Sequence, residues 1–423
     1  MNDRKIELLA PAGSYESLQA AIVAGADSIY FGVEQLNMRA RSSGSFSVTD
    51  IKTISNICKT SGVKSYITLN TVMYEHDMQL LKVILRQVKK YGINAVIASD
   101  FSVIEYCKKL DIPLHISTQA NVSNVKSVQF FSGFSDAIVM ARELTLKQVK
   151  DIAREIQRKK IVGPSGDLIR IEIFVHGALC MAISGKCYLS LHVQNASANR
   201  GACMQNCRRA YLVRDAESGD ELSIDNEYIM SPKDLCTIEI LDRVIDSGAG
   251  ILKIEGRTKG ADYVRVVTQC YREAIQAVKE GTFTAEKVTR WKNELRKVYN
   301  RGFWEGYYLG RKFGEWTLHP GSAATEKKIY IGKGVRYYPE IHIGEFILES
   351  GNLKAGDTML RTGPECGMLK DRIKTFRVNG IDGNEAVKGD RITFLVDSKV
   401  TVSDKLYKII ETVSHAEDSS IQK

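Results

Sequence analysis

Eight short β-like runs recur through the first part of the chain, spaced to leave room for a helix between neighbours: IELLAP (6–11), SIYFGV (28–33), KSYITLN (64–70), AVIASD (95–100), LHIST (114–118), AIVMA (137–141), IRIEIFV (169–175) and ILKIEG (251–256). Between them lie segments of helical period, among them SYESLQAAIVAG, MQLLKVILRQVKKYG and TLKQVKDIAREIQ, several closed by a glycine as helix C-termini prefer. Parallel strands need a crossover connection, so this alternation builds a parallel sheet, and eight units are the number that closes a (β/α)8 barrel. A doubly wound open sheet fits the strand count less well. The predicted fold class is α/β, a (β/α)8 TIM-like barrel with a cysteine-rich insertion before the last strand and a small C-terminal β-barrel.

The rhythm breaks once, over roughly 177–250, between the seventh and eighth strands. Barrel chemistry gathers on the loops after the strand C-terminal ends, so the insertion begins where an active site is expected. Beyond 281 come a polar helical stretch, AEKVTRWKNELRKVYNRGF, and an aromatic, glycine-rich connector; from about 326 short β-like runs alternate with glycine turns. The expected organisation is a barrel over 1–285, a connector over 286–325, a β-barrel over 326–412 and a polar tail over 413–423.

The N-terminal MNDRKIELLAPAG breaks its short apolar run at Pro11 and Gly13, unlike a secretory signal, and no stretch reaches the roughly 18 uninterrupted apolar residues of a membrane span. The reading is a cytoplasmic protein. Lys and Arg total 59 against 50 acidic residues, a net charge of +9, which is compatible with a polyanionic partner such as RNA and equally with an enzyme that merely has a basic surface.

Four of nine cysteines fall in HGALCMAISGKCYLSLHVQNASANRGACMQNC (176–207), a segment too rich in Gly, Ser and Asn to be regular throughout. Disulfides are rare in a reducing cytosol, so clustered thiols point to metal ligation or catalysis. Cys180, Cys187, Cys203 and Cys207 are spaced C-x6-C-x15-C-x3-C, wider than the paired knuckles of structural zinc and compatible with an iron–sulfur cluster ligated from an irregular loop. Cys236, in MSPKDLC, is an alternative fourth ligand or a buried helix residue. Cys58, Cys107 and Cys270 sit in helical patterns as core residues, and Cys366 stands alone.

Polar residues close several strand candidates: Asn70, Asp100, Thr118 with Gln119, Arg142 with Glu143, His176, and Glu255 with Arg257. Each singly suits a helix cap, as Asp100 before FSVIEYC does, but their recurrence suits a convergent site. Arg257 offers a planar fork for carboxylate or phosphate, against the alternative of an ion pair with Glu255 or a bond to a neighbouring strand end. His176 is read as a proton donor or acceptor, or as a residue that orients the cysteine loop. Arg39 and Arg41 after the second strand, and Arg208 and Arg209 beside Cys207, are candidate RNA contacts.

ELLAPAG, AAIVAGADSIYFGV, HGALCMAISGKCYLS, ANRGACMQNCR and KIEGR together resemble the collagenase-like peptidase family of unassigned catalytic type, over essentially the whole chain. The peptidase name finds little in the residues, since neither H-E-x-x-H nor an evident nucleophile–base pair is present. The resemblance implies instead hydroxylating enzymes carrying a [4Fe–4S] cluster: tRNA hydroxylases forming 5-hydroxyuridine at the wobble position with prephenate as a required metabolite, an rRNA cytidine hydroxylase, and a pair acting on a quinone precursor. Length and layout look most like the tRNA uridine 5-hydroxylases, which favours Cys180, Cys187, Cys203 and Cys207 as ligands. Prephenate, a dicarboxylate, would be taken by Arg257 with Arg142, Gln119 and Asn70, and Glu255, Arg257 and His176 are the catalytic candidates. The electron donor is not implied.

Overall fold

The computed structural model describes residues 5–40, 46–212, 217–218, 228–310, 315–317 and 321–412. Strands β1 (Glu7–Pro11), β2 (Ser28–Gly32), β3 (Lys64–Leu69), β4 (Ala95–Ala98), β5 (Leu114–Ile116), β6 (Ala137–Val139) and β7 (Arg170–Gly177) pair in parallel in sequence order. Between them run α1 (Tyr15–Val23), α2 (Asp50–Thr60), α3 (Met78–Tyr91), α4 (Phe101–Lys109), α5 (Val125–Phe131) and α6 (Leu146–Lys159). The segment after β7 holds α7 (Leu189–Gln194), β8 (Asp234–Cys236) and α8 (Leu241–Asp246), and leads to β9 (Ile251–Ile254). Because β9 pairs in parallel with both β1 and β7, the eight strands close into the expected barrel. The segment read as an insertion therefore also contains α8, the crossover helix that brings the chain back to β9.

Local signals explain where the helices start and stop. Ser14 and Thr145 begin α1 and α6 with capping boxes, Asp100 accepts the Ser102 N–H at 2.9 Å to start α4, and Gly92 ends α3 in the left-handed region at φ 67°. Apolar residues on the inner helix faces then pack on the outside of the barrel, as Leu81, Ile84, Leu85 and Val88 of α3 do, all fully buried. A second, smaller apolar cluster fills the barrel interior: Leu9, Tyr30, Tyr66, Ala95, Ile97, Ala137 and Ile251.

After β9 come α9 (Ala261–Lys279), α10 (Ala285–Lys297) and β10 (Phe303–Trp304), which pairs with β8. The connector returns to the barrel wall: Trp304 Nε1 donates to Lys233 O at 3.0 Å and Tyr308 Oη to Phe174 O at 2.6 Å. The ten C-terminal strands, from Glu326–Tyr338 to Lys405–Glu411, form an antiparallel eight-stranded sheet and a separate two-stranded one (Asn352–Lys354 with Glu385–Val387) around a core of Ile331, Phe346, Leu348, Leu353, Ile392 and Leu406. It docks on the barrel through Leu360 and Met368 against Ala20 of α1 and Ala261 of α9. The tail at 413–423 and Arg41 lie outside the described residues. Among the described residues no helix is long and apolar enough to cross a membrane.

Candidate active site and cysteine cluster

The C-terminal strand ends converge on a cavity of about 100 Å³ whose walls include Arg39, Asn70, Thr118, Gln119, Arg142, Glu255 and Arg257. Arg39 Nη2 donates to Glu255 Oε1 at 3.1 Å. Arg257 is not paired with Glu255: its Nη1 donates to Asn37 Oδ1 at 3.1 Å and to Thr68 Oγ1 at 2.5 Å, tying the end of β9 to the end of β3. Arg142 Nη1 donates to Ala178 O at 3.0 Å and its guanidinium lies over the Phe174 ring, 3.9 Å from the centroid. Asn70 Nδ2 donates to Gln119 Oε1 at 3.3 Å, and Asn70 Oδ1 accepts from the Met38 N–H.

Charge in this cavity is mostly positive. Burial pushes the Glu255 carboxyl up, but Arg39, Arg142, Lys259 and Arg257 together outweigh it and hold the group below its ordinary range. The floor adds a residue that the strand-end reading passed over. Lys253 is 4% exposed, its Nζ lies 2.7 Å from Glu172 Oε1, and His115 Nδ1 lies 3.2 Å from Glu172 Oε2. Burial pulls Lys253 down, while Glu172, which burial raises, is held low by the Lys253 ammonium. The signal was present in ILKIEG, where period-2 alternation puts Lys253 and Glu255 on one face.

Other strand-end residues go elsewhere. Asp100 caps α4 and also accepts the Met73 N–H at 2.9 Å, and Glu143 is exposed and does not line the cavity. His176, read as a proton donor or acceptor or as a residue that orients the cysteine loop, does not line it either. A β-bulge lies between Phe174 and His176, so the alternation that points Glu172 and Phe174 inward slips by one residue. The His176 ring faces outward among Tyr263, Tyr271 and Phe303, with centroids 5.9, 5.5 and 5.6 Å away. It is 1% exposed, its Nδ1 has no hydrogen-bond partner, and burial lowers its pKa to about 3, so the ring is neutral at physiological pH.

The cysteine segment covers one side of the mouth, and glycines set how closely it lies. A Cβ on Gly185 would sit 2.6 Å from Gln119 Cγ, and one on Gly201 2.4 Å from Asn37 O, so both must lack a side chain for the segment to reach the barrel loops. Cys180 lines the cavity and is exposed; Cys187, Cys203 and Cys207 are half-buried. Burial pushes the Cys207 thiol up, Arg208 pulls it down, and Cys180, Cys203 and Cys187 each push it up further, so the four thiols share one electrostatic neighbourhood. Arg39 senses Cys203 and Cys180 as well as Glu255, which joins that neighbourhood to the cavity.

Cys236 is placed apart. It is 6% exposed at the end of β8, and the Tyr271 hydroxyl lies 3.9 Å from its Sγ; it ends a strand, where the sequence suggested a helix. Among the described residues no three His, Cys, Asp or Glu side chains converge on a single-ion geometry.

The expected RNA-binding arginines separate. Arg39 belongs to the cavity, and Arg208 braces the segment by donating to Ser231 Oγ at 3.1 Å and to the carbonyls of Pro232 and Leu179. Arg209 is exposed beside Cys207. A larger cavity of about 820 Å³ opens at the opposite, N-terminal end of the strands beside Lys5, Asp27 and Gly248, where barrel chemistry does not gather, and Lys150–Asp246 and Arg272–Asp27 pair across its wall.

The family model described as Peptidase family U32 matches residues 13–318. The chain belongs to peptidase family U32. It is 50% identical over 408 residues to a protein named collagenase from Porphyromonas gingivalis, covering 96% of this chain and 99% of that one. It is 30% identical over 419 residues to tRNA hydroxylation protein P1 of Bacillus subtilis, covering 96% of this chain and 95% of that one. It is also 27% identical over 377 residues to tRNA hydroxylation protein P of Escherichia coli, covering 78% and 80% of the two chains.

Proposed function

We propose that this U32 chain is a tRNA uridine 5-hydroxylase that acts on the wobble position, with a [4Fe–4S] cluster held by Cys180, Cys187, Cys203 and Cys207. The observation that carries the reading is the juxtaposition of four electrostatically coupled thiols with a cavity in which Arg39, Arg142, Arg257 and Lys253 outnumber Glu255 and Glu172. Relatives named tRNA hydroxylation protein that align over most of the chain support it. A bound cluster would supply redox-active iron at the rim of the cavity.

The chain's own residues hold the small anion and the base. Prephenate carries two carboxylates, and Arg257 and Arg142 offer guanidinium edges for one or both, with Asn70 and Gln119 as neutral partners. The Arg39–Glu255 pair fixes the loop after β2 over the mouth, so that the cavity admits a base presented out of its stack. Lys253, neutralised on one side by Glu172, closes the floor.

The collagenase name motivates a second reading, peptide hydrolysis. Among the described residues, however, no histidine ring is hydrogen-bonded to a serine or cysteine side chain, the arrangement that activates such nucleophiles. One experiment separates the two: express the chain in a host that lacks tRNA 5-hydroxylation, digest the tRNA to nucleosides and analyse them by mass spectrometry, assaying gelatin cleavage in parallel. Appearance of 5-hydroxyuridine nucleosides is expected. Cleavage of gelatin with no new nucleoside would overturn the reading.

A further inference from the structure

Between Glu172 and Asp215 the chain has no aspartate or glutamate, although acidic residues number 50 in 423, and Lys186, Arg200, Arg208 and Arg209 fall inside that interval. The same segment displays side chains that folding ordinarily covers. Tyr188 is 68% exposed, Ile183 53% and Met181 50%, and from the loop after β3 Tyr74 is 49% exposed. The two loops are tied: the Val72 N–H donates to Asn199 O at 3.2 Å, Arg200 Nη1 donates to Val72 O at 2.8 Å, and the Arg200 guanidinium lies 4.1 Å from the Tyr74 ring centroid. Since Cys180, Ser184 and Gly185 of this segment line the cavity, the surface runs into its mouth. Glu75, exposed beside Tyr74, marks its edge.

Aromatic faces set among cations, with the buried Asp77 carboxylate engaged by Arg200 and the exposed Glu75 at the border, suit one class of partner. Unpaired bases stack on tyrosine rings while backbone phosphates take the cations; a folded protein surface would need its own acidic patch to satisfy them. We propose that this surface holds the unpaired nucleotides of an RNA loop on either side of the base that enters the cavity, with Tyr188 and Tyr74 as stacking platforms and Lys186 and Arg209 on the phosphates. The proposal rests on RNA being the substrate.

The test is fluorescence anisotropy on the full chain with two probes, a labelled unmodified anticodon stem-loop and a blunt RNA duplex of similar length. Tyr188→Ala and Tyr74→Ala should each weaken stem-loop binding by about 5- to 150-fold, the range for one base stack removed, and leave duplex binding unchanged. Tyr188→Phe should bind as the parent does. Tyr74 lies outside the cysteine segment but touches Arg200 within it, so equal metal content in Tyr74→Ala and the parent is required before lost binding is assigned to stacking. Lys186→Ala combined with Arg209→Ala should weaken both probes and lower the salt slope by about 0.7 for each phosphate that is no longer neutralised. Stem-loop binding unchanged in both alanine variants, or a duplex bound as tightly as the stem-loop, overturns the proposal and leaves the surface to a protein partner. The activity is read separately: no 5-hydroxyuridine together with tyrosine-dependent stem-loop binding removes the function and keeps the surface, whereas normal product from both alanine variants does the reverse.

Discussion

Arg39 Nη2 and Glu255 Oε1 meet at 3.1 Å across the barrel mouth and join the loop after β2 to the end of β9. The Glu255 side chain is 10% exposed and that of Arg39 32%, so the carboxylate depends more on the pair than the guanidinium does. Glu255→Gln keeps the shape and removes the charge, leaving Arg39, Arg142, Arg257 and Lys259 mutually repelling. We expect it to lower 5-hydroxyuridine formation at least about 10-fold, one unit of lost positioning or charge balance. Combined with Arg39→Ala it should not be additive: a thermal-unfolding cycle should show a coupling of about 1 kcal/mol or more. Additivity within about 0.5 kcal/mol would show that the two side chains act independently.

The four-thiol assignment is tested by metal content. Cys180→Ser, Cys187→Ser, Cys203→Ser and Cys207→Ser, purified without oxygen, should each lose most iron and acid-labile sulfide. Cys236→Ser should retain the iron of the parent, because its thiol packs against Tyr271 away from the other four, and its cost should appear as a lower Tm. Iron kept by Cys207→Ser and lost by Cys236→Ser would exchange their places.

The barrel was legible because it is written in local periods: all eight strand candidates become barrel strands, and of the six strand ends singled out for their polar groups, four line one cavity. The misreadings share a cause. A β-bulge leaves no mark in composition, so simple alternation carries the inward row of Glu172 and Phe174 on to His176, where the chain has already slipped. Arg208 looked like a solvent-facing arginine because the carbonyls it braces, Leu179 and Pro232, are distant in sequence and carry no side-chain signal. For Arg257 the sequence left Glu255, two residues away, and a neighbouring strand end open as alternatives, and barrel closure supplies the latter, with Thr68 of β3 and Asn37 of the loop after β2 taking its guanidinium.

The outward placement of His176 makes a prediction opposite to a catalytic role. Burial sets its folded pKa at about 3, against 6.5 for an ordinary histidine, so the unfolded chain takes up a proton first as pH falls. The contribution is complete above pH 6.5 and is lost as pH drops from 6.5 toward 3. His176→Phe, which suits the surrounding Tyr263, Tyr271 and Phe303, should therefore retain 5-hydroxyuridine formation and resist acid better than the parent over that window, as read by urea midpoints at several pH values. A variant with normal stability and abolished turnover would restore the proton-transfer role.

At the opposite end of the barrel, Glu7 is 4% exposed and accepts from the Tyr66 hydroxyl at 2.6 Å, Arg170 Nη1 at 2.8 Å and Lys64 Nζ at 3.4 Å. Burial raises its pKa, but Arg170, the Tyr66 hydroxyl and Lys64 outweigh that and bring it to about 2, from an ordinary 4.5. With the folded value below the unfolded one, the stabilisation is present above pH 4.5 and disappears as pH falls toward 2, an effect of about 3 kcal/mol at most. Glu7→Gln should accordingly be less stable than the parent at pH 7, with a gap that narrows steadily between pH 4.5 and 2 in denaturant titrations. It should leave iron content unchanged, because Glu7 sits at the strand N-termini and the thiols at the far mouth. A stability gap independent of pH would assign the loss to packing around Tyr66 instead of to the charge.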